Sequence, residues 1–325
     1  MTLALHARAK RPQPVRFHEI ASRIAARFSP QVADAFLDAI LTFQSQIDEI
    51  ALLQAVAGAD FNVIEAAVAS GGDLATIIDN TNMDVLLRRT AGTSGTASAA
   101  VLSDALGVEV SFNALHPNVV MFARTQTANL VVNVGNDVRE AIRIVLTVAQ
   151  QQGLTVVQQA KAIQQIVGLP PNWAQAPLNL ANELRAGQFT TTRRLSKTDK
   201  KAITSRLAKG KPLDPEFIAK MQAKYTESLI ERRALNIART ETLRASHNGQ
   251  RESWKQARQD RVLPETVRRI WIATLDARVR PEHAAIPGMN PGGVPLDGVF
   301  QTPDGPVVGP PLDVNCRCGE SLVFP

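Results

Sequence analysis

Proline is distributed unevenly along this chain, and this distribution constrains the fold more than any other feature of the sequence. No proline follows Pro215 until Pro264, and Asp214 before Pro215 is a typical N-cap residue followed by the favoured first helical position. A helix from Pro215 to about Ala257 would be roughly 60 Å long. In contrast, the last 45 residues contain 9 Pro and 7 Gly, a density that predicts turns and short strands. We therefore expect a long helix followed by a small module of another kind.

The remaining sequence favours helices. Aromatic residues are scarce, at 5%, and aliphatic residues supply most of the apolar content. Apolar residues recur at helical spacing over 17–57 and again from Ala128 onwards, and Thr155 with Gln158 predicts a capping box at the start of another helix. A short basic helix is predicted over 198–209, and strands over 269–274 and 321–324. The predicted fold class is mainly α-helical with a small C-terminal α+β module.

Three consecutive segments are predicted. They are an N-terminal helical region with a basic arm (1–95), a helical body ending in the long helix (96–260) and a small Pro/Gly-rich α+β module (261–325). Small residues at 71–72 and 91–98 are interpreted as flexible separators, and Pro30 as a helix start. We expect the tract beyond Pro264 to fold back on the long helix, held by polar and sulfur-bearing side chains rather than apolar ones.

Several classes of protein are disfavoured. No run of eighteen apolar residues occurs, and residues 1–16 lack an apolar signal-peptide core, so we expect no membrane partner and no secretion by that route. Cys316 and Cys318 are too close in sequence for an unstrained disulfide, which favours reduced thiols in a cytosolic setting. The common zinc-protease, serine-hydrolase, P-loop and dinucleotide-binding motifs are absent from the sequence. The sequence therefore does not indicate an ordinary enzyme.

Positive charge is concentrated in one part of the chain. Residues 185–280 contain 23 basic and 10 acidic residues, an excess of +13, while residues 29–184 are acidic. The densest part consists of Arg193, Arg194, Lys197, Lys200, Lys201, Arg206, Lys209 and Lys211. Such a segment attracts the phosphates of double-stranded DNA, although it can also be only a solvated surface. We favour DNA because the local excess is large.

A candidate metal site lies in the C-terminal module. Its predicted ligands are His283, Cys316, Cys318 and Asp276, because thiolate and imidazole are preferred ligands of tetrahedral zinc. A segment with little apolar content would also gain folding energy from a bound ion. Two alternatives remain open: buried thiols beside a hydrogen-bonded His283, and a Cys–His nucleophile pair.

Several motifs in a fixed order carry a resemblance to a known family. They are Ile237-Ala238-Arg239-Thr240-Glu241-Thr242, then Trp271, Thr274, Asp276, Arg278, Arg280 and His283, then Gly288, Asp297-Gly298 and Asn315-Cys316-Arg317-Cys318. Over roughly residues 115–322 the chain resembles the phage Mu F-like head morphogenesis family, the minor head proteins of tailed phages. The Pro/Gly-rich segment 287–295 departs from the family pattern. Arg239, Thr240, Glu241, Trp271 and Asn315 are matched as structural motif residues.

The resemblance implies a protein of the virion rather than an enzyme. It implies incorporation in few copies during procapsid assembly in the host cytoplasm, followed by a position inside the capsid near the portal vertex. The implied partners are the portal protein, other head or scaffolding proteins and packaged DNA. The alternatives are a metal-dependent hydrolase or toxin-like enzyme built on His283, Cys316 and Cys318, and a plain DNA-binding protein.

Overall fold

The computed structural model describes residues 17–210, 213–274 and 276–324. They are mainly helical with a small antiparallel sheet near the C-terminus, which confirms the predicted fold class. The helices are α1 (Phe17–Gln46), α2 (Glu49–Gly58), α3 (Phe61–Ala69), α4 (Leu74–Asn80), α5 (Met83–Leu106), α6 (Pro117–Gln151), α7 (Val156–Ile166), α8 (Pro171–Ala174), α9 (Ala176–Arg185), α10 (Lys197–Ala208), α11 (Pro215–Gln259) and α12 (Pro281–Met289). The strands are β1 (Arg268–Ile272), β2 (Val294–Pro295) and β3 (Gly319–Val323). The predicted basic arm (1–16) and Lys211 lie outside the described residues.

The chain forms two compact units, each assembled from separate stretches of sequence. Unit 1 takes the described residues of Met1–Arg27, Arg89–Val120 and Thr242–Pro325. Unit 2 takes the described residues of Phe28–Arg88 and Met121–Glu241. The boundary predicted between residues 95 and 96 lies inside α5. The division into three consecutive segments stays a prediction.

The long helix predicted after Asp214 is confirmed. Helix α11 runs without a break over 45 residues, a length of about 68 Å. The Asp214 carboxylate accepts a 2.7 Å hydrogen bond from the backbone N–H of Phe217, and Pro215 is the first helical residue. The N-cap and the lack of an internal proline were therefore sufficient to predict both its start and its continuity.

The interpretation of residues 91–98 as a flexible separator is wrong, because these residues are helical and lie within α5. Their small side chains permit close packing in unit 1. A Cβ atom at Gly249 of α11 would lie 1.9 Å from the carbonyl oxygen of Ala91. A Cβ atom at Gly95 would lie 2.2 Å from the Phe112 ring. Small residues here therefore make room for neighbouring groups rather than for chain motion.

Two local predictions about helix ends have different outcomes. The capping box of α7 is confirmed, since Thr155 Oγ1 accepts from the Gln158 backbone N–H and Gln158 Oε1 accepts from the Thr155 backbone N–H. The placement of Pro30 at a helix start is wrong, because Pro30 lies inside α1. Phe28 and Val32 on either side of it are buried, so side-chain packing supports a continuous helix across the proline.

One stretch of the described residues, Phe61–Leu106, is long and apolar enough to cross a membrane by length and composition alone. The structure divides it into α3, α4 and α5. Asp73 caps α4 by accepting hydrogen bonds from the backbone N–H groups of Ala75 and Thr76. The lack of a membrane partner stays a prediction.

The C-terminal module is built on a three-stranded antiparallel sheet in the order β2-β1-β3. The predicted strands correspond to β1 and β3, in which Trp271 pairs with Glu320 and Ile272 with Gly319. Trp271 packs edge to face against Phe300, with ring centroids 5.4 Å apart. These two rings lie in a small buried cluster with Ile286, Val294, Cys316 and Cys318. This cluster forms one part of the apolar core of the module.

The predicted contact of this module with the long helix is confirmed within unit 1. Glu320 of β3 is completely buried and accepts 2.7 Å hydrogen bonds from Arg251 of α11 and Arg269 of β1. The expectation that apolar side chains contribute little is wrong. Trp254 of α11 packs in one buried cluster with Phe17, Leu296 and Leu322. A buried charge network and an apolar cluster therefore hold the module together.

Candidate metal centre and basic segment

Two turns bring the candidate metal ligands together. His283 is in the first turn of α12, which begins directly after Arg280 with Pro281 at its first position. Asn315 has a left-handed backbone conformation, with φ of 60°, and turns the chain immediately before Cys316. Asparagine is among the residues that tolerate this conformation best. Cys316 and Cys318 follow this turn directly and precede β3.

The side chains of His283, Cys316 and Cys318 converge on one point. His283 Nδ1 lies 3.5 Å from Cys316 Sγ and 3.6 Å from Cys318 Sγ. The candidate ligand atoms all lie within 4.8 Å of one another, and all three side chains are buried. Three of the four predicted ligands are therefore close enough to share one ion.

The two thiols differ in their acidity. The pKa of Cys316 is lowered to about 6, because the Cys318 thiol and the Cys318 backbone N–H donate hydrogen bonds to its sulfur. The pKa of Cys318 is raised, because of the same interaction with Cys316 and because burial disfavours its thiolate. The hydrogen bond between the two sulfur atoms thus makes the loss of one proton from the pair easier than the loss of both.

Asp276, the fourth predicted ligand, does not join this group. Its carboxylate accepts two hydrogen bonds from Arg317, at 2.5 and 2.6 Å, and a third from the backbone N–H of Arg278. The hydrogen bonds from Arg317 lower the pKa of Asp276 well below its usual range. Arg317 thus occupies, by hydrogen bonding, the carboxylate that was predicted to bind a metal. Arg317 and Asp276 form a bidentate ion pair, which sequence spacing does not reveal.

The outer nitrogen of His283 faces an ion pair. His283 Nε2 lies 3.6 Å from Asp313 Oδ1 and 3.4 Å from Arg280 Nη1. Arg280 pairs with Asp313 and also donates a 3.0 Å hydrogen bond to the carbonyl oxygen of Val314. Arg280 can donate a hydrogen bond to Nε2 at 3.4 Å, whereas Asp313 Oδ1 lies just beyond hydrogen-bonding range, so the contacts at Nε2 do not fix the tautomer of His283. The sequence analysis did not identify Arg280 or Asp313 as part of this site.

Another feature that the sequence analysis missed is the buried charge network of Glu320, Arg251 and Arg269. A signal for it was present in β1, where Arg269 and Trp271 are both buried because alternate residues share one face of a strand. An arginine on the same strand face as a buried tryptophan is itself buried. Because an unpaired buried charge is costly, such an arginine is expected to have an acidic partner. Glu320 in β3 supplies that partner.

The predicted structural motif residues lie in α11 and in the C-terminal module. Arg239 is exposed on α11, whereas Thr240 and Glu241 are buried. Thr240 Oγ1 donates a 2.8 Å hydrogen bond to the carbonyl oxygen of Asn236 in the preceding helical turn. Trp271 and Asn315 belong to the C-terminal module, where they supply a core side chain and a chain reversal. Thr240, Trp271 and Asn315 therefore contribute to local structure, and the assignment of all five residues as a structural motif stays a prediction.

The basic segment in unit 2 is centred on α10. Ser196 caps this helix by accepting a 3.0 Å hydrogen bond from the Asp199 backbone N–H, and Ile203 is completely buried. Lys200 and Lys201 lie three and four residues after Lys197, so they flank it on one face, roughly opposite Asp199 and Ile203. Lys197 and Lys201 are exposed and Lys200 is half-buried. The helix thus presents a lysine-rich face to solvent.

Two of the predicted DNA-binding residues are engaged in ion pairs. Arg193 pairs with Glu183 and lies over the Tyr225 ring, at 5.5 Å from its centroid. Arg206 lies 3.0 Å from Asp214 and stacks over the Phe217 ring. Arg194 and Lys209 are exposed, like Lys197 and Lys201. Arg193 and Arg206 therefore have acidic and aromatic partners within the fold, whereas Arg194, Lys197, Lys201 and Lys209 are exposed.

A surface cavity of about 470 Å³ adjoins this segment. Its basic lining residues are Arg193, Arg194, Lys200 and Arg232, and Glu231 is its acidic one. Asp199, the acidic residue within α10, is buried and pairs with Lys224. The surface around α10 therefore favours anionic groups.

Comparison with known proteins gives one family match. The Phage Mu protein F like family matches residues 140–320, which is more than half of the chain and includes both the basic segment and the candidate metal ligands. No curated protein and no solved structure matches the chain significantly. The chain therefore belongs to the Phage Mu protein F like family, a family of structural phage head proteins, and is a protein of the virion.

Proposed function

We propose that this chain is a minor head protein of a tailed phage that enters the procapsid in few copies, lies inside the capsid near the portal vertex and contacts the packaged DNA. Family membership supports a role in head morphogenesis. The observation that carries the proposed DNA contact is the solvent-facing set of lysines on α10. The portal protein and other head or scaffolding proteins are its proposed partners.

The electrostatics of α10 suit a phosphate backbone. Within the described residues, Lys197 and Lys201 are exposed on one face of the helix, and the nearby acidic side chain of Asp199 is directed into the protein. Cations without an acidic neighbour exchange bound counterions for DNA phosphates, and this exchange requires no particular base sequence. Packaged DNA presents every sequence of the genome, so contact through phosphates suits a head protein.

The DNA contact can be tested by a retardation assay on linear double-stranded DNA at low salt. We expect the wild-type chain to shift the DNA and the double variant Lys197→Gln, Lys201→Gln to shift it much more weakly. A matched control is Arg124→Gln, Lys161→Gln, which also removes two exposed helical cations but lies outside the basic segment. Equal weakening by both double variants, or no shift by the wild type, would contradict the proposed role of α10.

The position in the head requires a separate experiment. Co-expression of the chain with the portal and capsid proteins of its phage, followed by sedimentation, should recover it with procapsids in few copies per particle. Nuclease treatment before sedimentation should leave it associated, because capsid incorporation precedes DNA packaging in this proposal. A chain that stays in the supernatant when procapsids pellet would contradict it.

A catalytic role for the C-terminal module has less support. His283 and the two cysteines are only 2–3% exposed, which leaves little access for a substrate. Arg317 also holds Asp276, the carboxylate that would otherwise be available for proton transfer. We therefore assign this cluster no catalytic step.

A further inference from the structure

The cluster of His283, Cys316 and Cys318 has the dimensions of a zinc site. For zinc bound at about 2.3 Å to sulfur and about 2.05 Å to nitrogen, tetrahedral angles place sulfur and nitrogen about 3.6 Å apart. The two observed distances from His283 Nδ1 to the sulfur atoms are 3.5 and 3.6 Å. Both distances therefore match the separation that a shared tetrahedral ion requires.

Hydrogen bonding alone explains this arrangement less well. A neutral imidazole nitrogen without a proton has one lone pair, so it accepts one strong hydrogen bond from a thiol. Here two sulfur atoms approach the same nitrogen at nearly equal distances. An ion placed between all three atoms satisfies them together.

The surroundings of His283 fit the role of a metal ligand. Histidine ligands commonly direct their second nitrogen at a carboxylate, which fixes the ring orientation and increases the basicity of the ligating nitrogen. Asp313 occupies this position next to Nε2, and Arg280 holds Asp313 through an ion pair. A metal ion on Nδ1 would place the ring proton on Nε2, where it faces Asp313.

A bound ion would also join segments that are distant in sequence. His283 lies 33 residues before Cys316 and 35 residues before Cys318. Most of the intervening chain is turns and irregular structure, and the apolar cluster around Trp271 and Phe300 is small. A metal that closes a long loop stabilises the folded state, and it contributes most where the apolar core is small.

We propose that His283 Nδ1, Cys316 Sγ and Cys318 Sγ bind one Zn²⁺ ion and that this ion stabilises the C-terminal module. Thiolate ligands favour zinc over magnesium or calcium, which bind oxygen ligands. The reducing host cytoplasm keeps both thiols available during assembly. Asp313 is a positioning residue that acts through His283, and Asp276 is not a ligand.

The test uses the full-length chain, freed of metal with a chelator under reducing conditions and then titrated with Zn²⁺. Elemental analysis after removal of free ion should find one zinc per chain, and thermal unfolding should shift to higher temperature with added zinc. Cys318→Ser should weaken zinc binding by more than about 100-fold, and Asp313→Asn by about 10-fold, because removing an outer partner costs less than removing a ligand. Asp276→Asn is the matched control and should bind zinc like the wild type.

Cobalt substitution keeps the proposal testable if a cysteine variant fails to fold. The wild-type chain with Co²⁺ should show the strong visible bands of tetrahedral cobalt and thiolate-to-cobalt charge transfer in the near ultraviolet. No zinc uptake, a weak octahedral-type cobalt spectrum, or equal zinc binding by a folded Cys318→Ser variant would each overturn the proposal. Loss of zinc binding in Asp276→Asn would overturn the assignment of the three ligands.

Discussion

The two charged regions of this protein use similar side chains for opposite purposes. In unit 1, Arg251 and Arg269 are buried and surround the fully buried carboxylate of Glu320. In unit 2, Lys197 and Lys201 of α10 are exposed to solvent. Buried charges are costly unless paired, so the first region determines folding, whereas exposed charges remain available to a ligand. Burial, rather than residue type, therefore separates the structural from the binding role.

The comparison predicts the largest effect for Glu320→Gln. This change leaves two buried arginines without a negative partner and should reduce the free energy of unfolding by about 3–5 kcal/mol. Denaturant unfolding measures the difference. Glu265→Gln, at an 85% exposed side chain in the same unit, is the control and should change stability by less than about 0.5 kcal/mol. A loss below about 1 kcal/mol for Glu320→Gln would show that the buried network does not determine folding.

A smaller effect is expected where the interior of unit 1 is closely packed. Gly249→Ala should cost about 1–3 kcal/mol or more, because its Cβ atom would overlap the backbone of Ala91. Gly135→Ala on α6 is the matched control, since no neighbouring atom of the described residues lies within 4 Å of its Cβ position. That control should stabilise the protein by about 0.5–1 kcal/mol. Equal effects of the two substitutions in denaturant unfolding would rule out close packing at Gly249.

Asp199 allows the effect of burial to be tested inside the basic segment itself, because it is a buried acidic residue of α10. Hydrogen bonds from Lys224 and Ser196 lower its pKa below the ordinary value of 3.8. A lowered carboxyl pKa contributes stability above the ordinary pKa, and this contribution is lost as pH falls through the folded-state value. Asp199→Asn should therefore cost about 1 kcal/mol at neutral pH.

The difference between Asp199→Asn and the wild type should shrink progressively as the pH falls below 3.8. Unfolding free energies measured from neutral to acidic pH test this dependence. A difference that stays constant over this range would show that the ionised carboxylate contributes nothing to folding.

The smallest stability effect is expected for the exposed lysines. The double variant Lys197→Gln, Lys201→Gln should unfold within about 0.5 kcal/mol of the wild type, because both side chains are solvated in the folded protein. Thermal and denaturant unfolding provide the measurement. Destabilisation comparable to that of Glu320→Gln would remove the distinction between the two regions.

Local sequence patterns predicted much of the fold. The start of α11, the capping box of α7 and the strands of the C-terminal module each depend on residues close together in sequence. Residues 91–98 were misinterpreted because small side chains occur both in flexible segments and in closely packed helices. Only the neighbouring chain, here Gly249 and Phe112, distinguishes the two cases.

The candidate metal centre was predictable in its ligand types but not in its complete membership. His283, Cys316 and Cys318 stood out because these residue types are rare here and chemically suited to zinc. Asp276 met the same chemical criterion, but Arg317 holds its carboxylate. The partner of a charged side chain depends on tertiary contacts, so neither this pair nor the network of Glu320 follows from spacing alone.

The most direct test of the account is the salt dependence of DNA affinity. The logarithm of the association constant is plotted against the logarithm of the salt concentration. For Lys197→Gln, Lys201→Gln the slope should be smaller in magnitude than for the wild type by about 1.8, because each lost phosphate contact removes about 0.9. The control Arg124→Gln, Lys161→Gln should keep the wild-type slope. An unchanged slope in the α10 variant, or an equal decrease in the control, would contradict the claim that these exposed lysines bind DNA.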